Sequence, residues 1–149
     1  MKRGLGVLAV GLLSVSAIAQ QTPDAWQPLQ EQAKRHLINL INIDTSLPSP
    51  DEIHAARYIY KEFNKHNIDW DIFIPQKGRA NLMARIKGTD PKQKPLLLIS
   101  HLDTANAQEG WTVPPLKATE KDGLIYGLGV TDAKNYTAAY LALFTWLAQ

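Results

Sequence analysis

The chain has 149 residues, with 16 Lys and Arg against 14 Asp and Glu, and no cysteine. Without cysteine there is no disulfide framework, no thiolate nucleophile and no thiolate ligand, so any metal ion must be held by His, Asp and Glu. The basic residues form no cluster, which argues against nucleic acid as a partner.

The first 19 residues read as an export signal. Lys2 and Arg3 precede an apolar run over 5–15, and Ala17-Ile18-Ala19 supplies a small-x-small cleavage pattern, with cleavage after Ala19. The run is shorter than the ~20 apolar residues a membrane span needs, and no cysteine is present to be acylated. The expectation is a signal peptide at 1–19 and a periplasmic or secreted protein with no stable membrane insertion after cleavage. Residues 20–149 then carry 14 basic and 14 acidic side chains. At that length one compact domain would bury roughly two-thirds of its unfolded surface. No repeat, low-complexity segment or Gly/Ser/Pro linker divides it.

Trp26, Leu29, Ala33, Leu37, Leu40 and Ile41 follow helical spacing, which predicts an amphipathic helix over 28–42. After Pro48, Ser49-Pro50-Asp51-Glu52 reads as a helix start: Ser as N-cap, Pro in the first turn and Glu completing a capping box. Ile53, Ala56, Tyr60 and Phe63 would be the buried stripe of this second helix, ending near Asn67. The period then changes to two. Ile68, Trp70, Ile72 and Ile74 predict one half-buried strand, and Leu82, Ala84 and Ile86 predict another. A turn cluster over 87–94 leads to Leu96, Leu97, Leu98 and Ile99, an unbroken apolar run that reads as a central strand covered on both faces. Asp122-Gly123 predicts a tight hairpin between 116–119 and 124–126. Tyr136, Ala139, Tyr140, Leu143 and Leu147 would form the stripe of a final helix. The order of elements predicts an α/β fold, a layered mixed sheet with helices on both faces.

Ligands of open α/β sheets bind beyond the carboxyl ends of the strands. His101 and Asp103 stand at that end of the apolar run, and Asp132 stands at the head of the last helix. A metal-bound imidazole usually donates its other N–H to a carboxylate or carbonyl, and a His-x-Asp spacing could supply one. The plain alternatives stay open on these residues alone: His101 as a structural or exposed residue, Asp103 as a turn-starting Asp, Asp132 as a helix N-cap. Lys134 reads as a solvated helix residue. Gly127 and Gly129 indicate a backbone that turns or passes close to something. They form no dinucleotide fingerprint, and no Gly-x-Ser-x-Gly elbow occurs. His36, His54 and His66 read as surface residues of the first two helices.

Taken in order, His101-Leu102-Asp103-Thr104, Trp111, Pro114, residues 122–129 and Asp132-Ala133-Lys134 resemble the zinc-dependent exopeptidase and deacylase family. That family includes acetylornithine deacetylase, succinyl-diaminopimelate desuccinylase, aminoacylase and related carboxypeptidases. Ile43-Asp44-Thr45 and Arg79-Ala80-Asn81-Leu82 fit the same pattern upstream. The resemblance implies that residues 20–149 are the N-terminal portion of the catalytic domain. His101 would ligate one zinc ion and Asp132 would bridge two. Asp103, the catalytic-site residue behind the ring, would hold His101. The Asp132–Ala133 peptide would be cis. It further implies a small peptide or N-acyl amino acid substrate, amide hydrolysis by metal-activated water, and a homodimer in a complete chain. A His and carboxylate site also accepts cobalt or manganese.

The sequence departs from the pattern at Leu128 (usually Arg), Pro115 (usually Phe) and Asn135 (often Gly). The family's glutamate base and further ligands would follow Asp132 beyond Gln149. The expectation is therefore a fragment, inactive as it stands. The alternative is a non-catalytic exported binding or interaction domain derived from the same fold.

Overall fold

The computed structural model describes residues 23–48 and 51–149. The signal peptide expected at 1–19 and the cap expected at Ser49-Pro50 lie outside the described residues. Helix α1 spans Pro23–Ile41 and α2 spans Glu52–Lys65. Strands β1 (Asp69–Phe73) and β2 (Asn81–Arg85) form one antiparallel pair, and β3 (Thr119–Lys121) and β4 (Leu124–Tyr126) form another. Helix α3 spans Asn135–Leu147. The fold class is α/β, as the alternation of helical and strand periods implies.

The strand expectations translate directly into packing. In β1 and β2 the odd and even residues alternate between exposed and half-buried. The register sets Trp70 opposite Ala84 and Ile72 opposite Leu82, so the apolar residues share one face. That face lies on α2, and Trp70 stacks on Tyr60 with centroids 4.5 Å apart. In the β3–β4 turn, Asp122 (φ 53°) and Gly123 (φ 76°) are both left-handed. This is the backbone that a two-residue turn needs to match strand twist.

The core joins Leu40 of α1, Ala55, Ile59 and Phe63 of α2, Ile68, and Ala138 and Leu141 of α3. Two stripes are rotated from the sequence expectation. On α2 the buried residues are Glu52, Ala55, Ala56, Ile59 and Phe63, while Ile53 and Tyr60 are only half-buried. On α3 the buried face is Thr137, Ala138, Leu141, Ala142 and Thr145, and Tyr136 and Leu147 are exposed. Helix α3 is apolar all round, so periodicity could not choose its inner face. The small-residue face lets α1 approach closely. Both buried threonines return their hydroxyls to carbonyls of their own helix region, Thr137 to Ala133 and Thr145 to Leu141. Gln32 of α1 also donates to Thr145 Oγ1 at 2.6 Å.

Asp51 is the N-cap residue, without a side-chain bond to the helix end. The Glu52 carboxylate is buried and meets Arg79 Nε at 2.9 Å.

The run 96–99 corrects a second expectation, because it pairs with no other strand among the described residues. Leu96 is 82% exposed and Ile99 75% exposed, while Leu98, Ser100 and Leu102 are half-buried. One side of the segment rests on α3, where Ser100 Oγ and Thr137 Oγ1 are 2.8 Å apart. The other side is open. A cleft of about 500 Å³ lies between residues 97–103 and β2, over Ile59, Phe63, Leu141 and Phe144. No ladder joins the two sides of that cleft.

His36 is also corrected, from a surface to a core residue that is 1% exposed. Asn39 Nδ2 donates to Tyr58 Oη at 3.1 Å, and Tyr58 Oη in turn donates to His36 Nδ1 at 2.6 Å. Burial holds His36 neutral, lowering its pKa to about 4, with Glu62 opposing and Arg35, Lys65 and His66 adding to the shift. A buried neutral His stabilises the fold fully above its unfolded value, near pH 6.5, and that stability is lost as pH falls toward about 4. Unfolding free energies of the chain from denaturant titration should drop between pH 7.5 and pH 4.5 by roughly 2–3 kcal/mol more than those of His36→Gln. Equal pH dependence of the two proteins would refute the assignment.

Candidate active site

Two segments far apart in sequence form the base of the site. Thr45 to Leu47 runs parallel to Thr104: Thr104 N donates to Thr45 O at 3.0 Å, and Leu47 N donates to Thr104 O at 3.1 Å. Thr45 and Thr104 are both buried. The Asp44 carboxylate accepts from Ser46 N at 2.9 Å and Ser46 Oγ at 2.7 Å, which fixes the turn entering this pairing. Those bonds, with the Lys134 charge nearby, hold the Asp44 pKa below its ordinary value. The Leu47–Pro48 peptide that follows is cis.

The pairing fixes where the 101–103 turn lies. The second wall comes from residues 127–134. A Cβ at Gly127 would overlap the Ile41 side chain, and one at Gly129 would overlap the Thr104 methyl group. Gly129 also adopts φ 77°, which disfavours any L side chain there. The paired glycines thus mark a close backbone passage. Val130–Lys134 then turns into α3 through non-helical angles at Asp132 (φ −144°, ψ 90°) and Ala133. The peptide between them is cis. Asp132 does not cap α3, which begins after Lys134 without a side-chain cap bond.

These two walls bring His101, Asp103 and Asp132 together. His101 Nε2 is 2.8 Å from Asp132 Oδ1. His101 Nδ1 is 3.0 Å from the Asp103 carbonyl oxygen and 3.3 Å from Asp103 Oδ1. All these oxygens accept, so both ring nitrogens donate and the imidazolium is favoured. The His101 pKa is accordingly raised, first by the Asp132 hydrogen bond, against a smaller opposing effect of burial, then by Asp103. The side chain of Asp132 is 87% exposed and that of His101 49% exposed, so both are open to a ligand from solvent.

Lys134 lies behind this pair and corrects the expectation of a solvated residue. It is 3% exposed, and its Nζ donates to the Ile43 carbonyl at 2.9 Å. Burial lowers its pKa to about 8, with Asp44 acting in the opposite direction. Sequence reasoning missed this residue because a Lys beside a helix start is ordinarily solvated. The positive φ at Gly129, which lets the chain fold Lys134 inward, has no signature beyond the glycine itself.

Among the described residues no group of three or more His, Cys, Asp or Glu side chains is arranged to hold a metal ion. The donor chemistry fits part of one. A ring nitrogen and a carboxylate oxygen converge, and the second ring nitrogen is anchored by Asp103, the arrangement metal-bound histidines use.

Residues 97–149, which include the whole His101 to Asp132 stretch, match the family described as peptidase family M20/M25/M40. Over that stretch the chain carries the sequence of this family. It is 37% identical over 117 residues to the bovine (Bos taurus) "N-fatty-acyl-amino acid synthase/hydrolase PM20D1", covering 72% of this chain and 23% of that protein. Against "Probable succinyl-diaminopimelate desuccinylase" of Staphylococcus aureus strain Mu50 it is 35% identical over 101 residues, covering 66% of this chain and 24% of that one. The protein of the same name from Staphylococcus epidermidis is 33% identical over 124 residues, covering 81% and 29%. The chain thus spans about a quarter of the length of these curated relatives. By their names, the first acts on N-fatty-acyl amino acids and the other two on succinyl-diaminopimelate.

Two outcomes follow from the geometry. Gly129→Ala should destabilise the fold by about 1–3 kcal/mol, from overlap with Thr104 and the left-handed backbone, read as a lower denaturant midpoint. In the metal-free chain, His101 should titrate above 6.5 by NMR, and Asp132→Asn should bring it down. With a raised folded pKa, this pairing adds stability below pH 6.5 that is lost as pH rises through the folded value. A wild-type His101 that titrates at or below 6.5 would contradict the contact.

Proposed function

We propose that this chain is part of an exported, metal-dependent hydrolase of amide bonds in peptides or N-acyl amino acids. The observation that carries the reading is the convergence of His101 Nε2 and Asp132 Oδ1 at 2.8 Å, with Asp103 at the other ring nitrogen. On this reading His101 and Asp132 would hold the metal, zinc by family resemblance. Bound there, the metal would polarise the scissile carbonyl and lower the pKa of a coordinated water.

The chain's own residues prepare for that chemistry. Asp103 accepts a hydrogen bond from His101 Nδ1–H, which leaves Nε2 free as the ligand atom once it is deprotonated. Asp132 stands exposed at the end of the cis turn, with its carboxylate reaching the His101 ring. Ligation therefore replaces the proton shared by His101 and Asp132, so binding should weaken as pH falls through the His101 pKa. The open cleft beside 97–103 leaves one flank of the site uncovered.

Two donors are fewer than the three that catalytic zinc sites retain. We propose that residues 1–149 alone bind metal weakly and do not turn over substrate, and that export depends on residues 1–19. The substrate class rests on the relatives' names. The homodimer rests on resemblance.

Zinc titration of the chain followed by NMR is the test. Zinc should shift the His101 ring signals with weak affinity, and both His101→Ala and Asp132→Asn should abolish the shift. A tightly held pair of zinc ions would overturn the incomplete-site reading. No response at His101 would overturn the metal reading itself.

A further inference from the structure

We propose that Lys134 is a positioning residue for Asp132: its buried ammonium ties the turn that carries Asp132 to the 43–47 segment, and so sets the Asp132 carboxylate opposite His101. The observations form a closed circuit. His101 and Asp103 lead into Thr104. Thr104 pairs with Thr45 and Leu47 through two backbone hydrogen bonds. Ile43, two residues before Thr45, accepts the Lys134 Nζ hydrogen bond at 2.9 Å. Lys134 N donates to Gly129 O at 3.0 Å, closing the turn that contains Asp132. Asp132 Oδ1 then returns to His101 Nε2. The Lys134 bond is the link in this circuit made by a side chain from beneath the site.

An ammonium is an expensive group for this place. Lys134 is almost wholly buried, and taking a charge out of water is costly unless hydrogen bonds and opposite charge offset it. An apolar side chain would fill the same space without that cost. What an apolar side chain cannot do is grip a carbonyl of another segment. Between Gly127 and α3 the turn has non-helical backbone at Asp132 and Ala133, so no helical ladder holds Asp132 in place. The Asp132 side chain is itself exposed and no packing constrains it. The Lys134 tether supplies the missing constraint, and the Asp44 charge beside it favours the protonated amine. Gly129 belongs to the same device. A Gly129 Cβ would overlap the Thr104 methyl and only touch the Lys134 stem, so the absence of a side chain is what brings the turn that carries Lys134 up against Thr104.

The significance for metal binding rests on the reading of His101 and Asp132 as ligands; the positioning itself is a property of the metal-free chain. The experiment separates the two. The 149-residue chain is prepared as wild type, Lys134→Met, Lys134→Arg and Asp132→Asn, and the His101 ring nitrogens are followed by NMR without metal at one fixed pH. Asp132→Asn defines the signal of a lost contact. Lys134→Met, folded by its amide spectrum, should move the His101 Nε2 signal toward that reference, and Lys134→Arg should move it less. A folded Lys134→Met chain with the wild-type His101 signal overturns the proposal. Zinc is then titrated. Lys134→Met should weaken binding about tenfold, the lower range for loss of an outer partner. In the Asp132→Asn background Lys134→Met should leave the metal-free His101 signal where it is, and an equal further shift there overturns the positioning role in favour of a general structural one. If zinc leaves wild-type His101 unmoved while Lys134→Met shifts its signal, the metal reading fails and the positioning role stands. Should Lys134→Met not fold, wild-type chain is labelled with an amine-reactive acetylating agent. Lys134 should react more slowly than exposed Lys92, and equal reaction overturns the proposal.

Discussion

Thr104 meets Thr45 and Leu47 through two backbone hydrogen bonds, and this short parallel pairing anchors everything else in the site. It joins the end of α1 to the turn that carries His101 and Asp103, across almost sixty positions of sequence. Buried backbone groups must find partners, and here those partners are supplied by a two-residue contact rather than a sheet. Its permanence therefore depends on what packs around it. Gly129 lies against the Thr104 methyl and Gly127 against Ile41, and the Lys134 Nζ reaches the Ile43 carbonyl. Removing space at any of these points disturbs the same joint.

The helices serve that joint. Helix α1 ends at Ile41 against Gly127, and Leu40 enters the common core. Helix α3 starts directly after the Asp132 turn and packs its small face on α1. The orientation of α3 thus sets the direction from which Asp132 approaches His101. Thr137 contributes at both levels: it returns its hydroxyl to Ala133 and lies 2.8 Å from Ser100 Oγ. A side chain that belongs to the core also locates the segment leading to His101.

Electrostatics follow the same geometry. Several groups have shifted pKa values because of where the backbone places them, His101, His36 and Lys134 among them. His101 is raised by the oxygens it faces, and His36 and Lys134 are lowered chiefly by burial. Perturbed groups cluster at functional sites, yet His36 lies in the core and belongs to packing. The distinction comes from exposure. His101 and Asp132 are open to solvent and to a ligand, whereas His36 is enclosed with Tyr58 and Asn39.

Much of the local structure was legible from the residues. The period-two runs around Trp70 and Leu82 became β1 and β2, and Asp122-Gly123 formed the left-handed turn that its residue types favour. The ordered set from His101 to Lys134 pointed to the family and to the residues that meet. What sequence could not choose was which way a uniformly apolar helix faces. The stripe of α3 was misplaced because Thr137, Ala138 and Ala142 are small, and only the approach of α1 makes small residues the better inner face. Likewise residues 96–99 have the composition of a central strand, but pairing is non-local and no neighbour reaches them among the described residues. Lys134 and His36 changed from surface to interior for the same reason. Periodicity and turn chemistry act over a few residues and were readable in order along the chain. Burial, the tether from Lys134 to Ile43, and the 2.8 Å meeting of His101 with Asp132 depend on segments distant in sequence, and only the tertiary structure decides them.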